Sequence, residues 1–420
     1  MANDKDNLRR RLRRLGVVKG FRDIEARQAQ APAPRGDGAL PGAEIATEHG
    51  ALWVEQRTYP GEHRHGGYPL AALASLPADA PALLGVPELG AHPAFLDTET
   101  TGLSGGAGTL AFLIGVGVWR EEQLALHLIF MRDPAEESAA LRYLAEILEP
   151  VTSLVTFNGL GFDAPILESR FVLNRLSPGW MALPHLDLLP VARQLWRDHL
   201  PSRRLIALEK EILSVARAET DLPSWMIPGL YRQYLRTGDA REMARIFYHN
   251  RVDVLSLVTL LAHTGRMLTA PHEMALAAAE WAGVGRMYDR AAREDDAFAA
   301  WERALSGECE MEELAAEAAA RLWREMGLRY KRREAWPRAL EIWQQWIDWQ
   351  PDAVEPLVER AKYHEWMTCD LPAALTATQE ALRRAERHPQ GLRRRRTLAE
   401  LHHRRERLER KLADSEPESE

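Results

Sequence analysis

Two carboxylates lie two positions apart at the end of an apolar stretch. They are Asp97 and Glu99, in the run Phe95-Leu-Asp-Thr-Glu-Thr-Thr-Gly-Leu103. Residues two apart on a β-strand share one face, so these side chains are expected to stand side by side. Like charges this close raise each other's pKa unless a cation neutralises them, and oxygen ligands suit Mg²⁺ or Mn²⁺. The pair indicates either a metal site or a strand end that enters a polar turn.

A third carboxylate follows a predicted buried strand. Asp163 lies in the run FNGLGFDAPIL (157–167), directly after the apolar, β-branched run 151–157. A turn that follows a buried strand supports its side chains well for binding or catalysis. Taken alone, Asp163 is better explained as the N-cap of a helix that begins near Pro165. The nearby Asp187 is expected only to cap the next helix.

A histidine and an aspartate lie four residues apart in a run of helical character, FYHNRVDVLSL (247–257). On a helix, His249 and Asp253 would share one face, one turn apart. Histidine titrates near neutrality and suits a general base, and an aspartate can hold a metal that lowers the pKa of water. The alternative is an ordinary His–Asp pair at the rim of a core. Tyr248 lies about 100° around the helix from His249.

The elements that position these groups alternate between strands and helices from about residue 94 to 268. Beyond the first strand, the apolar run 109–119 and the alternating run 123–131 are joined by Glu121-Glu122, which predicts a hairpin. The further predicted elements are a helix over 134–149, a strand over 151–157 and a helix over 165–176. This order favours a mixed sheet with helices on its faces.

From about residue 271 the pattern is helical throughout. The segment WPRALEIW (336–343) is echoed by LPAALTAT (371–378), so that Ala339 and Ala374 lie 35 positions apart. The tetratricopeptide repeat, a helix-turn-helix unit, has a period of about 34 residues. We expect two or three degenerate repeats of this kind, with a plain helical bundle as the alternative.

Composition excludes several classes of protein. The 420 residues have a net charge of −7, so only a local basic cluster, such as the arginines of residues 9–14, could contact phosphates or an acidic partner. The alternative is that this cluster is simply part of a solvated terminal segment. Two cysteines exclude a disulfide scaffold. No apolar run reaches the ~18–20 residues of a membrane helix, and the charged N-terminus lacks a signal peptide's apolar core. We expect a cytoplasmic protein without membrane contact.

Together, the acidic motifs resemble those of the DEDD superfamily of 3′–5′ exonucleases, which have an RNase H-like fold. Asp97 and Glu99 match the first motif and Asp163 the second. The third motif, a tyrosine or histidine shortly before an aspartate, is matched by Tyr248 or His249 with Asp253. More narrowly, the chain resembles the bacterial YprB-like group over about residues 92–265, and some members of that group carry C-terminal tetratricopeptide-like helices. Four runs carry this similarity: FLDTETTGLSGGAGTLAFLIGVG, RRLIALEKEIL, DLPSWMIPGLYRQYL and YHNRVDVLSL.

The resemblance implies two-metal hydrolysis of phosphodiester bonds. Two Mg²⁺ or Mn²⁺ ions would be held by four carboxylates: Asp97, Glu99, Asp163 and Asp253. The terminal nucleotide would be contacted by three further residues: Thr100, Leu103 and Asn158. The family places a histidine five residues, or a tyrosine four residues, before the last aspartate, whereas this chain has Tyr248 five before and His249 four before. We assign the general base to His249, with Tyr248 as the alternative.

We therefore expect five segments: a flexible basic, proline-rich arm (1–50), a poorly defined lead-in (51–91), an α/β RNase H-like exonuclease domain (92–268), an all-α helical repeat domain (272–410) and an acidic tail (411–420). The expected function is metal-dependent 3′–5′ exonuclease activity on single-stranded ends of DNA or RNA. The alternative is a scaffold that binds nucleic acid or protein. Its helical repeats would recruit partners, and its nuclease-like domain would be ancillary.

Overall fold

The structure is a computed structural model, and it describes residues 40–102, 108–219, 221–306 and 315–415. The chain forms two compact units. Among the described residues, the first contains those of 40–81, 85–189 and 204–264, and the second contains those of 82–84, 190–203 and 265–415. Leu103, most of the predicted arm and the end of the predicted acidic tail lie outside the described residues.

A seven-stranded mixed sheet forms the centre of the first unit. Its strands run in the order β1-β2-β7-β6-β5-β8-β9. Their bounds are β1 Ala43–Thr47, β2 Gly50–Pro60, β5 Pro93–Thr100, β6 Ala111–Arg120, β7 Gln123–Phe130, β8 Ser153–Thr156 and β9 His185–Asp187, while β3 Arg64–His65 and β4 Tyr68–Pro69 form a separate two-stranded sheet. All neighbours in the large sheet are antiparallel except β5–β8 and β8–β9, which are parallel. The predicted mixed sheet is confirmed.

The strands follow from the apolar runs of the sequence. Ala94, Phe95 and Leu96 of β5 are buried, and all residues of β6 except Arg120 are buried. The predicted hairpin joins β6 to β7 through Glu121 and Glu122. Both residues have positive φ, 51° and 59°, which matches the twist that a two-residue hairpin turn requires.

The sheet is wider than the predicted domain boundaries imply. Strands β1 and β2 come from residues 43–60, within the predicted arm and lead-in, and β2 pairs with β7 along eight residues from Trp53 to Pro60. Apolar and polar residues alternate from Leu52 to Tyr59, a pattern that is typical of a strand. The pattern does not indicate which strand pairs with β2, because pairing between distant strands depends on tertiary packing.

Helices cover the sheet of the first unit. In chain order they are α1 Ala80–Leu84, α2 Glu137–Leu148, α3 Asp163–Leu173, α4 Leu188–Leu195, α5 Leu205–Glu211, α6 Ile227–Thr237 and α7 Met243–Thr269, of which α1, α4 and α7 extend into the second unit. Helix α7 is the longest of the described helices, and it packs closely on β6. A Cβ atom at Gly117 would lie 3.0 Å from Val254 of α7.

The second unit consists of paired helices. Their bounds are α8 Ala278–Arg290, α9 Glu294–Leu305, α10 Ala316–Arg332, α11 Trp336–Trp349, α12 Glu355–Trp366, α13 Leu371–Arg387 and α14 Leu392–Ser415. Helices α8 and α9, α10 and α11, and α12 and α13 pack as successive pairs, and α14 packs on α13. Among the described residues, no helix is both long enough and apolar enough to cross a membrane.

The helix pairs repeat one packing arrangement. A Cβ atom at Gly285 of α8 would lie 2.3 Å from the indole of Trp301, and a Cβ atom at Gly327 of α10 would lie 2.4 Å from the indole of Trp343. In both pairs, glycine therefore makes room for a buried tryptophan on the neighbouring helix. The same internal offset of 16 residues separates the two members of each pair. This repetition shows that the first two helix pairs are built alike.

Candidate active site

Strand β5 places Asp97 and Glu99 beside helix α7. Asn250 of α7 donates a hydrogen bond from Nδ2 to Oδ2 of Asp97 at 2.7 Å, and the same nitrogen lies 3.2 Å from the backbone oxygen of Asp97. Gly115, opposite Asp97 on β6, is required for this contact. A Cβ atom there would lie 2.0 Å from Oδ1 of Asn250, so only glycine leaves the space that the asparagine occupies.

Helix α7 brings His249 and Asp253 to Glu99. One ligand atom from each of the three side chains lies within 4.8 Å of the other two. Nε2 of His249 is 3.9 Å from Oε1 of Glu99 and 3.5 Å from Oδ2 of Asp253. The side chains of His249, Glu99 and Asp253 are only 6%, 12% and 13% exposed. This cluster offers a possible site for a divalent metal ion.

Asp163 lies at the first residue of helix α3 and is buried. Its Oδ1 accepts a hydrogen bond from Oγ1 of Thr98, the residue between the two carboxylates of β5. Helix α3 begins at Asp163 itself, so the alternative of an N-cap before Pro165 does not describe this geometry. Burial raises the pKa of Asp163 to about 6, against the opposing hydrogen bond from Thr98, and the charge of Asp187 adds to the rise.

Asp187 organises the turn that leads to Asp163. Its carboxylate accepts hydrogen bonds from the backbone N–H of Leu189 at 3.0 Å, and also from those of Asn158 at 2.7 Å and Leu160 at 3.2 Å. The first bond is the expected cap of the following helix. The other two hold Asn158 in a left-handed conformation, φ 68°, and so fix the course of the chain into α3.

The carboxylates of the site raise one another's pKa. Burial is the main reason that the pKa of Asp97 lies well above its ordinary value, and the charges of Asp253 and Asp163 raise this pKa further. Glu99 is affected in the same way, by burial first and then by the charges of the same two aspartates. Burial also raises the pKa of Asp253, although the nearby Arg217 opposes the rise. Carboxylates crowded away from water favour either bound protons or a bound cation.

Arg217 joins three carboxylates, one of which, Asp253, belongs to the cluster. Its Nε and Nη2 donate to Glu209 at 2.5 and 2.6 Å, its Nη1 donates to Asp221 at 3.0 Å, and its Nη2 also donates to Asp253. Burial lowers the pKa of Arg217, but the hydrogen bonds and charges of Glu209 and Asp253 outweigh burial and raise it. The guanidinium is therefore a permanent positive charge at the edge of the cluster.

The two candidates for the general base occupy different surroundings. The hydroxyl of Tyr248 accepts a hydrogen bond from the backbone N–H of Ala218 at 2.8 Å, and the guanidinium of Arg251 lies 5.8 Å from the centre of its ring. His249, in contrast, turns its Nε2 toward Glu99 and Asp253. Of the two, His249 is the residue that lies in the acidic cluster.

The predicted substrate residues differ in exposure. Asn158 is exposed at the start of the turn into α3. Thr100 is buried, and its hydroxyl donates to the carbonyl of Gly102 at 2.8 Å, so its side chain shapes the chain after β5 and is not available at the surface. Leu103 lies outside the described residues. An unpredicted side chain, Trp225, is 71% exposed directly after Ser224, whose Oγ lies 3.3 Å from Nε2 of His249.

Two residues that hydrogen bond with Arg217 next to the cluster were not identified from the sequence. Glu209 and Asp221 lie in the runs RRLIALEKEIL and DLPSWMIPGLYRQYL, which carried the family resemblance but received no role. The available signal was a glutamate on the apolar side of a short helix. Glu209 is indeed buried, and a buried carboxylate requires a partner. The partner, Arg217, lies in an irregular segment and could not be chosen from spacing.

Comparison with known proteins agrees with this architecture. Residues 94–264, which include strand β5 and most of helix α7, match the RNase H superfamily domain, so the class is that of RNase H-like proteins. The chain is also 30% identical over 345 residues to YprB, an uncharacterized protein of Bacillus subtilis (strain 168), covering 78% of this chain and 80% of YprB. The chain therefore belongs to the YprB family of RNase H-like proteins.

Proposed function

We propose that this protein is a metal-dependent 3′–5′ exonuclease that hydrolyses phosphodiester bonds at single-stranded nucleic acid ends. The observation that supports the proposal most strongly is the cluster of Glu99, His249 and Asp253, with Asp97 and Asp163 within electrostatic reach. RNase H-like nucleases use divalent metal ions. A set of mutually repelling, water-shielded carboxylates is the donor set that such ions require.

The acidic residues of the site suit divalent cations, and we propose that they hold a pair of Mg²⁺ or Mn²⁺ ions. In this proposal the ligands are the four carboxylates of the motifs: Asp97, Glu99, Asp163 and Asp253. Bound ions of this kind lower the pKa of water and stabilise the charge of the leaving oxygen. Their binding would also replace the protons that the raised pKa values of these carboxylates favour.

His249 is the proposed general base. Its Nε2 faces the cluster, so a water molecule placed between Glu99 and Asp253 could pass a proton to this nitrogen. The imidazole is 6% exposed, which keeps competing bulk water away from the proton transfer. In this scheme Asn250 fixes the carboxylate of Asp97, and Thr98 fixes that of Asp163.

Exposed groups around the site suit a single strand. An indole such as that of Trp225 offers a stacking surface to an unpaired base, and such stacking tolerates any sequence. Arg232 is exposed and donates to the carbonyl of Thr101, directly after β5, where it could meet a phosphate. In this proposal the exposed Asn158 hydrogen bonds with a sugar or base.

The test is the Mn²⁺-dependent release of nucleotides from 3′-labelled oligonucleotides of DNA and of RNA by the purified full chain. We expect release from a free 3′ end, and loss of release in Asp97→Ala and Asp253→Ala. Release from a 3′ end that survives both substitutions would show a contaminating nuclease. No release from either substrate by the unmodified protein would refute the proposal.

We propose an additional, partner-binding role for the second unit. We propose that its helix pairs are tetratricopeptide-like repeats. The pair Gly327–Trp343 follows the pair Gly285–Trp301 after 42 positions, which is 34 plus the eight residues 307–314. Ala361 and Thr378 then follow Gly327 and Trp343 after 34 and 35 positions. A groove of about 570 Å³, lined in part by Leu305, Trp323 and Ile342, lies between neighbouring helices. Affinity capture with the full chain and with Gln345→Asp, which changes an exposed residue of the groove, tests this role, which fails if both retain the same proteins.

A further inference from the structure

We propose that Asp221 is a positioning residue that fixes the tautomer and orientation of His249. This inference rests on the proposed function, in which His249 accepts a proton from the attacking water. Asp221 matches none of the acidic motifs, yet its Oδ1 lies 2.9 Å from Nδ1 of His249. The two side chains are 11% and 6% exposed, so water does not weaken the contact greatly.

The contacts around Nδ1 of His249 select one tautomer. Nδ1 lies 2.9 Å from Oδ1 of Asp221 and 3.1 Å from Nη1 of Arg217. A guanidinium donates but cannot accept, and a carboxylate accepts but cannot donate. If Nδ1 carries the hydrogen, it donates to Asp221, and Arg217 donates to the other carboxylate oxygen at 3.0 Å. If Nδ1 lacks the hydrogen, its lone pair faces the negative oxygen of Asp221 at close range, which is repulsive.

The Nδ1–H tautomer leaves the lone pair of Nε2 for chemistry. Nε2 is the nitrogen that faces Glu99 and Asp253, at 3.9 and 3.5 Å. Ser224 contributes a hydroxyl 3.3 Å from Nε2 and lies at the same rim. The protonated nitrogen Nδ1 therefore faces the carboxylate of Asp221. The basic nitrogen Nε2 faces the acidic cluster, where water would bind.

Asp221 is itself held from behind by a chain of polar groups. Arg217 links it to Glu209, which accepts a hydrogen bond from Oγ of Ser256 at 2.6 Å, and this hydroxyl also contacts Nε2 of His65 at 2.8 Å. Burial alone raises the pKa of Asp221, but the hydrogen bond and charge of the histidine, with the bond from Arg217, lower it below its ordinary value. The carboxylate is therefore kept ionised and in one orientation.

The test compares Asp221→Asn with the unmodified chain by ¹⁵N NMR of the histidine rings and by kinetics. In the variant, the amide oxygen faces Arg217 and the NH₂ group faces Nδ1, which forces the hydrogen to Nε2. We expect the His249 signals of the unmodified, metal-free protein to show Nδ1–H and those of the variant to show Nε2–H. The kcat should fall by about 10²–10⁴-fold with little change in KM.

Asp221→Glu and Asp198→Asn complete the experiment. The glutamate retains a carboxylate, so the Nδ1–H tautomer and part of the activity should persist. Asp198 is a comparable, 6%-exposed carboxylate paired with Arg286 in the second unit, so its replacement controls for the loss of a buried charge and should leave the His249 tautomer unchanged.

The outcomes separate this inference from the proposed function. An Nε2–H tautomer in the unmodified protein, or an Asp221→Asn variant with unchanged kcat, overturns the positioning role. If the unmodified protein shows Nδ1–H and the variant Nε2–H, but neither releases nucleotides, the positioning contact stands and the exonuclease proposal fails. The tautomer is measured without metal or substrate, so it does not depend on finding the correct nucleic acid.

Discussion

Replacing Asp163 by asparagine tests the electrostatics of the site at nearly constant side-chain shape. Burial raises the pKa of Asp163 from an ordinary 3.8 to about 6. Between these two pH values the folded chain retains the proton that the unfolded chain has released. The contribution of Asp163 to the free energy of unfolding is therefore fully present below pH 3.8 and is lost as the pH rises through about 6. One pKa unit corresponds to about 1.4 kcal/mol, so the free energy of unfolding decreases by about 3 kcal/mol.

Asparagine cannot ionise, so Asp163→Asn should escape this loss. In chelator at about pH 8, we expect the variant to be more stable than the unmodified protein by up to about 3 kcal/mol, with almost no difference at about pH 4. Urea unfolding measures this change. Because the two units need not unfold together, the relevant transition is the one that Mn²⁺ shifts, and Mn²⁺ should shift it less in the variant.

Asp198→Asn provides a control of opposite sign. Burial raises the pKa of Asp198, but the charges of Arg286 and of other arginines outweigh burial and lower it. Its replacement should therefore destabilise the protein at about pH 8. The reasoning is refuted if Asp163→Asn is no more stable than the unmodified protein at about pH 8, or if an equal gain persists at about pH 4.

Three further substitutions probe other contacts of the first unit. Arg217→Met should cost about 3–5 kcal/mol of stability because it leaves Glu209 buried without its partner, and adding Glu209→Gln should restore part of this in urea unfolding. Gly115→Ala should cost about 1–3 kcal/mol, because the new methyl group displaces Asn250, and should reduce nucleotide release. Trp225→Ala should weaken single-strand binding by about 1–3 kcal/mol in fluorescence anisotropy, without affecting stability.

Each of these expectations has a control or a contrary result. Gly229→Ala adds a methyl group to helix α6 where no atom lies within 4 Å, so it should not destabilise the protein as Gly115→Ala does. If the double variant at Glu209 and Arg217 is less stable than Arg217→Met alone, the explanation by an unpaired charge is wrong. Unchanged oligonucleotide affinity in Trp225→Ala would remove the stacking surface from the proposal.

The strands of the site followed from local sequence, whereas the support of the site did not. The apolar run before Asp97 and the run after residue 109 predicted β5 and β6 because buried neighbouring strands have a continuous apolar pattern. The approach of α7 to β6 depends on Gly115 and Gly117, and the sequence shows the glycines but not the helix they admit. Asp221 lies in an irregular segment 28 positions before His249, so no period or spacing could indicate their contact.

The second unit shows the same division between pattern and packing. Its helices follow from composition, and the spacing of Ala339 and Ala374 indicated a repeat. The packing of Gly285 against Trp301 was not predicted, because the distance from this pair to the next exceeds the expected period by eight residues. An insertion within a repeat obscures periodicity in the sequence while leaving each helix pair intact.

Anomalous scattering from crystals of the full chain soaked in Mn²⁺ tests the central claim most directly. The account predicts manganese peaks at about 2.0–2.3 Å from carboxylate oxygens of Glu99 and Asp253, with Asp97 or Asp163 completing the ligands, and no such peaks in crystals of Asp253→Ala. Manganese bound elsewhere, with Glu99 and Asp253 free of it, would contradict the account.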